Sequence, residues 1–345
     1  MEEKNMKKLL SILLACAVLT GIVLSLAACG DSKSKIKINP DKEKYVIGIC
    51  QLVQHPALDA ATQGFRDALT KALAEAGREV EFLEQNAQGD STTVTTIINT
   101  FVSNDVDLIM ANATASLQTA YNATETIPIL GTSITEYGVA LGIENFNGTV
   151  GGNVSGTSDL APLEEQAQMM IDTLGIEKGH KVGLLYCSAE PNSQYQVDVV
   201  KAYLEAKGIT AKNFSFSDAN DLSIVTENAA KECRAIYVPT DNTVASNTTT
   251  INNICSQRGT PVFAGEEGIC TGCGYATLSI SYYNIGQKTG EMAADVLLGR
   301  KSISEMPIEY DAAPVKKYNE EICNALDIDV EILKKEGYVK IGAAE

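Results

Sequence analysis

The stretch Tyr45–Ala76, YVIGICQLVQHPALDAATQGFRDALTKALAEA, decides the fold. Its first seven residues, Tyr45–Gln51, form an apolar run of the length and content of a buried strand. Leu58–Ala76 then changes period. Ala57, Ala61, Phe65, Ala68, Leu69 and Leu73 fall on one broad face of a helix. A buried strand followed at once by an amphipathic helix is the opening of a βαβ unit, and such units build parallel sheets with right-handed crossovers.

Reading outward, the alternation continues. Strands are expected at Val80–Leu83, Asp107–Met110, Pro128–Leu130 and Val139–Ile143. Helices are expected at Thr93–Val102 and Ser116–Ala123. A second series follows, with helices at Pro162–Leu174, Ser193–Ala206, Leu222–Ala230 and Thr243–Gln257. Its strands are Lys181–Tyr186, Thr210–Phe216, Ala235–Val238, Pro261–Ala264 and Ala276–Ile280. The fold class is therefore α/β, with two doubly wound parallel-sheet lobes. Between them lies Asn145–Ser158 (NFNGTVGGNVSGTS), rich in Gly, Ser, Thr and Asn. It reads as a hinge crossing, with a plain surface loop as the alternative. An amphipathic helix at Tyr283–Leu298 reads as a return to the first lobe.

The N-terminus has a different logic. Lys7 and Lys8 precede an apolar run from Leu9 to Leu26, and Leu26-Ala27-Ala28-Cys29-Gly30 follows. That order of basic, apolar and small residues is an export signal over residues 1–28. LAAC has the pattern of a bacterial lipobox, so Cys29 is the expected lipidation site and first mature residue. A single transmembrane helix is the alternative, since the run is near the lower limit for spanning. Met6 competes with Met1 as the start. Residues 29–44 are expected to be a flexible tether, polar from Asp31 to Lys44.

The whole chain has 345 residues, 27 Lys+Arg and 44 Asp+Glu, for a net charge of −17. Removing the signal takes three Lys and two Glu, so the mature chain stands at −18. Such a surface repels nucleic acid and anionic lipid. Membrane attachment then has to come from acyl chains. The mature part has about 300 residues, more than one ordinary core, which agrees with two lobes.

Eight cysteines remain after the signal: Cys29, Cys50, Cys187, Cys233, Cys255, Cys270, Cys273 and Cys323. Lipidation leaves an odd seven, which is not a disulfide framework. Buried free thiols are the expected state. Cys270-Thr271-Gly272-Cys273 has redox-motif spacing, but no thioredoxin-like context surrounds it. A structural loop is expected there, ahead of a labile disulfide and then a metal.

Several segments together carry a resemblance. They are Gln54-His55-Pro56-Ala57-Leu58-Asp59 with Gly64-Phe65, Thr132-Ser133-Ile134-Thr135, Gly156-Thr157-Ser158-Asp159, Tyr237-Val238-Pro239-Thr240-Asp241-Asn242, Phe263-Ala264-Gly265-Glu266, and Ala276-Thr277-Leu278 with Tyr282-Tyr283 and Gly286. In order and spacing the chain resembles type I periplasmic-binding-protein domains. More narrowly, it resembles the ABC-transporter substrate-binding proteins of tryptophan and tyrosine uptake. The resemblance implies two lobes joined by three crossings, with ligand in the cleft. On that reading the first lobe is 45–150 with 281–310, and the second is 151–280 with 311–345.

Chemistry argues for a ligand of the same kind. Ligands of open parallel sheets bind beyond the carboxyl ends of the strands. Thr114 and Ser116 follow one strand, and Thr132 and Ser133 follow another. Hydroxyls and free backbone N–H groups suit a carboxylate, although ordinary helix capping is the competing reading. In the second lobe Asp241 and Glu266 follow strands and can pair with an ammonium, unless Asp241 only caps the next helix. Ser188 and Asn192 could add hydrogen bonds. Gln51, Leu52, His55 and Tyr195 are candidates for a side-chain pocket, with His55 the weakest. Hydroxyls facing an acid match an α-amino acid zwitterion. The aromatic specificity rests on the resemblance alone, because the chain has no Trp and only 6% aromatic residues.

The expected function is therefore capture of an amino acid, tyrosine, tryptophan or phenylalanine, for the permease and ATPase subunits of an ABC importer. The expected protein is a monomer, lipid-anchored on the extracytoplasmic face, without cofactor, metal or nucleic acid. An enzyme is disfavoured, since no Ser-His-Asp set, metal cluster or P-loop signal is visible. An adhesin or sensor partner on the same scaffold, or a binder of a sugar or nucleoside, is the alternative.

Overall fold

The computed structural model describes residues 36–311 and 314–342. The export signal, Cys29 and the start of the tether lie outside the described residues. Two sheets organise the rest. In chain order the first series is β1 (Lys44–Gln51), α1 (Pro56–Glu75), β2 (Glu79–Asn86), α2 (Ser91–Ser103), β3 (Leu108–Asn112), α3 (Thr114–Ala123), β4 (Ile129–Ile134), α4 (Tyr137–Leu141) and β5 (Val154–Ser158). The second series is α5 (Leu163–Leu174), β6 (Lys181–Cys187), α6 (Pro191–Ala206), β7 (Thr210–Phe216), α7 (Leu222–Glu232), β8 (Ala235–Val238), α8 (Asn242–Ala245), α9 (Thr248–Arg258), β9 (Val262–Ala264), α10 (Glu267–Cys273) and β10 (Ala276–Ser279). The chain closes with α11 (Tyr282–Leu297), β11 (Glu309–Tyr310), β12 (Val315–Tyr318), α12 (Glu320–Ala325), α13 (Val330–Lys335) and β13 (Val339–Lys340).

The first sheet has the order β11-β5-β4-β3-β1-β2, and all of its pairings are parallel. The second has the order β13-β12-β10-β9-β8-β6-β7, parallel except where β12 runs against β10. Two α/β lobes with parallel-dominated sheets result. The pleat of β1 shows how the first is built. Ile47 and Ile49 face α1 and α11 with Phe65, Leu69, Met292 and Val296. Val46 and Cys50 face the other way, toward Ile98 and Phe101 of α2. A strand buried on both faces needs this continuous apolar run.

The α1–α11 pair brings the late helix back to the first lobe. A methyl on Gly64 would overlap the Tyr283 carbonyl oxygen, and one on Gly286 would overlap the Ala61 carbonyl oxygen. The two backbones touch because neither position has a side chain.

Four expectations need correction. Val139–Ile143 is not a strand; Tyr137–Leu141 is a helix. Glu136 caps it by accepting from Val139 N, and Gly142 ends it at φ +66°. The fifth strand instead lies inside the glycine-rich stretch, so the first sheet extends to Ser158 rather than ending at 150. Small residues are required there. A methyl on Gly156, at φ +146°, would overlap the Gly131 carbonyl and Tyr137 Oη. The expected helix Thr243–Gln257 is two helices, interrupted at Ser246 and Asn247. The tether does not reach residue 44. Ile36 and Ile38 pack on the first core, Lys37 N donates to Thr126 O at 2.7 Å, and Lys42 pairs with Asp107 at 2.6 Å.

Candidate functional site

The chain passes between the sheets after β5, after β10 and again between Tyr310 and Val315. Beside the first two crossings lies a small cavity of about 10 Å³. From the first series it takes His55, Leu58, Ser133 and Asp159. From the second it takes Asn192, Thr240, Asp241, Asn242, Ala245, Glu266 and Ile269, and Tyr282 completes it. That volume suits about one water, so the two lobes are shut on each other.

Four polar atoms of this lining are buried without a partner: His55 Nδ1, Ser133 Oγ, Asp159 Oδ1 and Thr240 Oγ1. An unmatched buried polar group is costly, and native interiors hold few of them. Their gathering at one cavity is a ligand's signature in outline. Ser133 reaches it through local strain. Its φ is +56°, in the left-handed region, at a register shift between β4 and β5. Strain of this kind persists where the surroundings over-determine it, and it clusters at binding sites.

The acids are held in different ways. Asp241 caps α8, with Oδ1 accepting from Val244 N at 2.9 Å, while Oδ2 accepts from Cys187 N at 2.7 Å. The competing reading of Asp241 as a cap thus describes its hydrogen bonds. Burial, and then the Glu190 charge, pushes its carboxyl up to about 8. Glu266 caps α10 by accepting from Gly268 N and Ile269 N, each at 2.5 Å. Burial raises it to about 7. Asp159 is different: its Oδ1 has no hydrogen-bond partner, although the Thr135 hydroxyl and the residue's own backbone N–H lie near enough to oppose part of the rise. Tyr282 Oη donates to Oδ2 at 2.8 Å, and burial raises the carboxyl above its usual range. The wall thus carries three acids, and among the described residues no Lys or Arg lines it.

Of the ten anticipated ligand contacts, His55, Ser133, Asn192, Asp241 and Glu266 meet at the cavity. The other five do not line it. Gln51 accepts from Thr62 Oγ1 at 2.7 Å and donates to Asp59 at 2.7 Å. Ser116 is fully buried, 3.6 Å from the Cys50 thiol, and Thr114 is buried in the same first turn of α3. Thr132 Oγ1 lies 3.2 Å from Thr157 Oγ1, and Ser188 Oγ donates to Phe216 O at 3.1 Å. Asp159, Thr240, Asn242 and Tyr282 were not singled out, although all four stand in the segments that carry the family resemblance. The missed signal is a strand end: Asp159 directly follows β5, a stretch whose sequence reads as a hinge crossing.

Cys270 and Cys273 lie on helix α10, not in a loop. Both thiols are buried and free, and they donate to Gly274 O and Ile269 O. Burial holds both well above the usual thiol range, which makes them poor nucleophiles and poor ligands. Among the described residues, no group of three or more His, Cys, Asp and Glu is placed to hold a metal ion.

The family profile of the ABC transporter substrate binding protein matches residues 46–337. The chain belongs to that family. This substrate-binding protein is 34% identical to a tyrosine-binding protein of Clostridioides difficile (strain R20291), over 93% of each chain. A domain from Streptococcus pneumonia solved with L-Trp is 30% identical, with a TM-score of 0.79, over 86% of this chain and all of that one. A ligand-free, open structure of a Clostridium difficile substrate-binding protein with adhesive properties is 35% identical, over 86% of this chain and 99% of that one. Its TM-score is only 0.64. The substrate-binding protein therefore superposes better on the Trp-loaded relative than on the open one, although the open one is nearer in sequence.

Proposed function

We propose that this protein captures an aromatic amino acid between its lobes and delivers it to an ABC importer. The observation that carries the reading is Asp159 Oδ1, a buried carboxylate oxygen without a partner on an acidic wall that lacks a cation. An ammonium group supplies what that wall lacks. Asp159 is thus the ammonium acceptor, and an ammonium beside Asp241 and Glu266 draws their raised carboxyls back toward the charged form. The hydroxyls of Ser133 and Thr240 take the carboxylate from opposite lobes, so the ligand satisfies both only when they meet.

The relatives support the ring class. One is described as a tyrosine-binding protein and another was solved with L-Trp. Loading requires opening, because about 10 Å³ does not hold an amino acid. A thermal-shift screen of all twenty amino acids, with sugars and nucleosides alongside, tests the class. Stabilisation by tyrosine, tryptophan or phenylalanine is expected, and stabilisation by a sugar or nucleoside alone would remove it. Export and lipidation at Cys29 are part of the proposal. Cys29→Ala should abolish acyl labelling, and an unchanged label would refute the anchor.

A further inference from the structure

His55 stands at the start of α1, in extended backbone, with Pro56 next, and its side chain makes no capping bond. It is nonetheless buried, at 7% exposure. Its Nε2 lies 3.2 Å from Asn242 Oδ1, and this contact runs from the first lobe to the second. Asn242 cannot turn its amide round. Its Nδ2 donates to Glu190 Oε2 at 2.7 Å, and its backbone N donates to the same oxygen at 3.0 Å. Glu190 Oε1 in turn accepts from Thr243 N and Oγ1, both at 2.8 Å. The carboxylate can only accept, so Nδ2 must face it and Oδ1 must face the histidine.

That fixes the tautomer. His55 Nε2 carries the proton, and in the neutral ring Nδ1 is a lone-pair acceptor. This nitrogen is the partnerless one among the ring's two. The charged groups around the ring are Asp59 from its own helix and Glu190 from the second lobe, with Asp159, Asp241 and Glu266 on the cavity wall. They favour a cation at the site, while burial favours a neutral ring.

We propose that His55 couples ligand to closure: Nδ1 accepts from the ligand's ammonium while Nε2–H latches the lobes through Asn242. This rests on the amino-acid reading for its first half only. A ligand amine that fixes the ring by Nδ1 also fixes the donor that holds Asn242. The site would then select for a primary amine as well as for an aromatic ring.

Two variants separate the halves. His55→Gln keeps a donor for Asn242 and moves the acceptor, because its Oε1 does not coincide with the ring's Nδ1. Asn242→Ala keeps the ring and lacks the latch. Calorimetry with L-tyrosine and with its desamino analogue, 3-(4-hydroxyphenyl)propionate, is the readout for the first. His55→Gln should bind tyrosine about tenfold more weakly, and its preference for tyrosine over the desamino compound should shrink. Wild-type affinity and preference in that variant would overturn the amine half. Small-angle scattering of the ligand-free protein is the readout for the second. Asn242→Ala should show a larger radius of gyration than wild type, and an unchanged radius would overturn the latch. If the wild type binds no amino acid, the functional reading and the amine half fail together, while scattering still decides the latch.

Discussion

Tyr282 Oη donates to Asp159 Oδ2 at 2.8 Å, and this bond ties the first hinge crossing to the second while the other Asp159 oxygen stays buried without a partner. One side chain is thus held in place by a neighbour and left open to a ligand. That arrangement orients the carboxylate without consuming it. Asp241 and Glu266, by contrast, give both oxygens to backbone N–H groups.

The first prediction separates these acids. Asp159→Ala should weaken L-tyrosine binding by about ten- to hundredfold, the loss of a charge-assisted bond of roughly 1.5–3 kcal/mol. Asp241→Asn should change affinity less and cost stability instead, roughly 1–3 kcal/mol, because its amide nitrogen cannot accept from Cys187 N. Calorimetry and urea unfolding on both variants measure this. A larger affinity loss in Asp241→Asn would return the ammonium to Asp241.

Ser133 gives a second, sharper contrast. Ser133→Ala should lose several-fold in affinity, about 1 kcal/mol for one hydroxyl. Ser133→Gly should lose the same affinity yet unfold at higher urea, because glycine relieves a left-handed backbone that costs other residues about 1–2 kcal/mol. Lower stability in Ser133→Gly would show that the hydroxyl, not the backbone, supports the bulge.

The third concerns pH. Burial raises Asp241 to about 8 and Glu266 to about 7 in the folded, ligand-free protein, above their ordinary carboxylate values. A raised folded-state value means the folded state binds more protons. The stability these groups contribute is complete at acid pH, below the unfolded values, and is lost as pH rises through about 7 and 8. The urea midpoint of the ligand-free protein should therefore fall from pH 6 to pH 9, and Glu266→Gln should flatten the fall. A midpoint that rises over that interval would contradict the burial of these acids.

The fourth tests the helix pair. Gly64→Ala and Gly286→Ala each drive a methyl into a facing backbone carbonyl, which must shift the helices apart. Each should cost roughly 1–3 kcal/mol or more in urea unfolding. A neutral effect at either position would mean that the α1–α11 approach is looser than the structure shows.

The failures of sequence reading have a common cause. Val139–Ile143 is apolar enough for a buried strand, and periodicity alone does not separate short helices from short strands. Glu136 and Gly142 decide for the helix by capping it at both ends. Val154–Ser158 failed the opposite way. Its core position is filled by Gly and hydroxyl residues whose bonds run to other elements, such as Thr157 Oγ1 to Thr289 Oγ1 at 2.8 Å. No local pattern advertises a strand like that. Asp159, one residue beyond it, went unread for the same reason.

The two α/β series were legible in the sequence, because apolar runs and helical spacing are local properties that survive without knowledge of neighbours. So was the presence of acids and hydroxyls at strand ends. Tertiary structure alone decided which of them meet. Ser116 and Thr132 turned into the first lobe's interior, while His55, Ser133 and Asp159 came to face Thr240, Asn242 and Glu266 across the cleft. Which hydrogen bonds remain unmade depends on the whole packed arrangement, and four unmade bonds around one cavity are what mark the site.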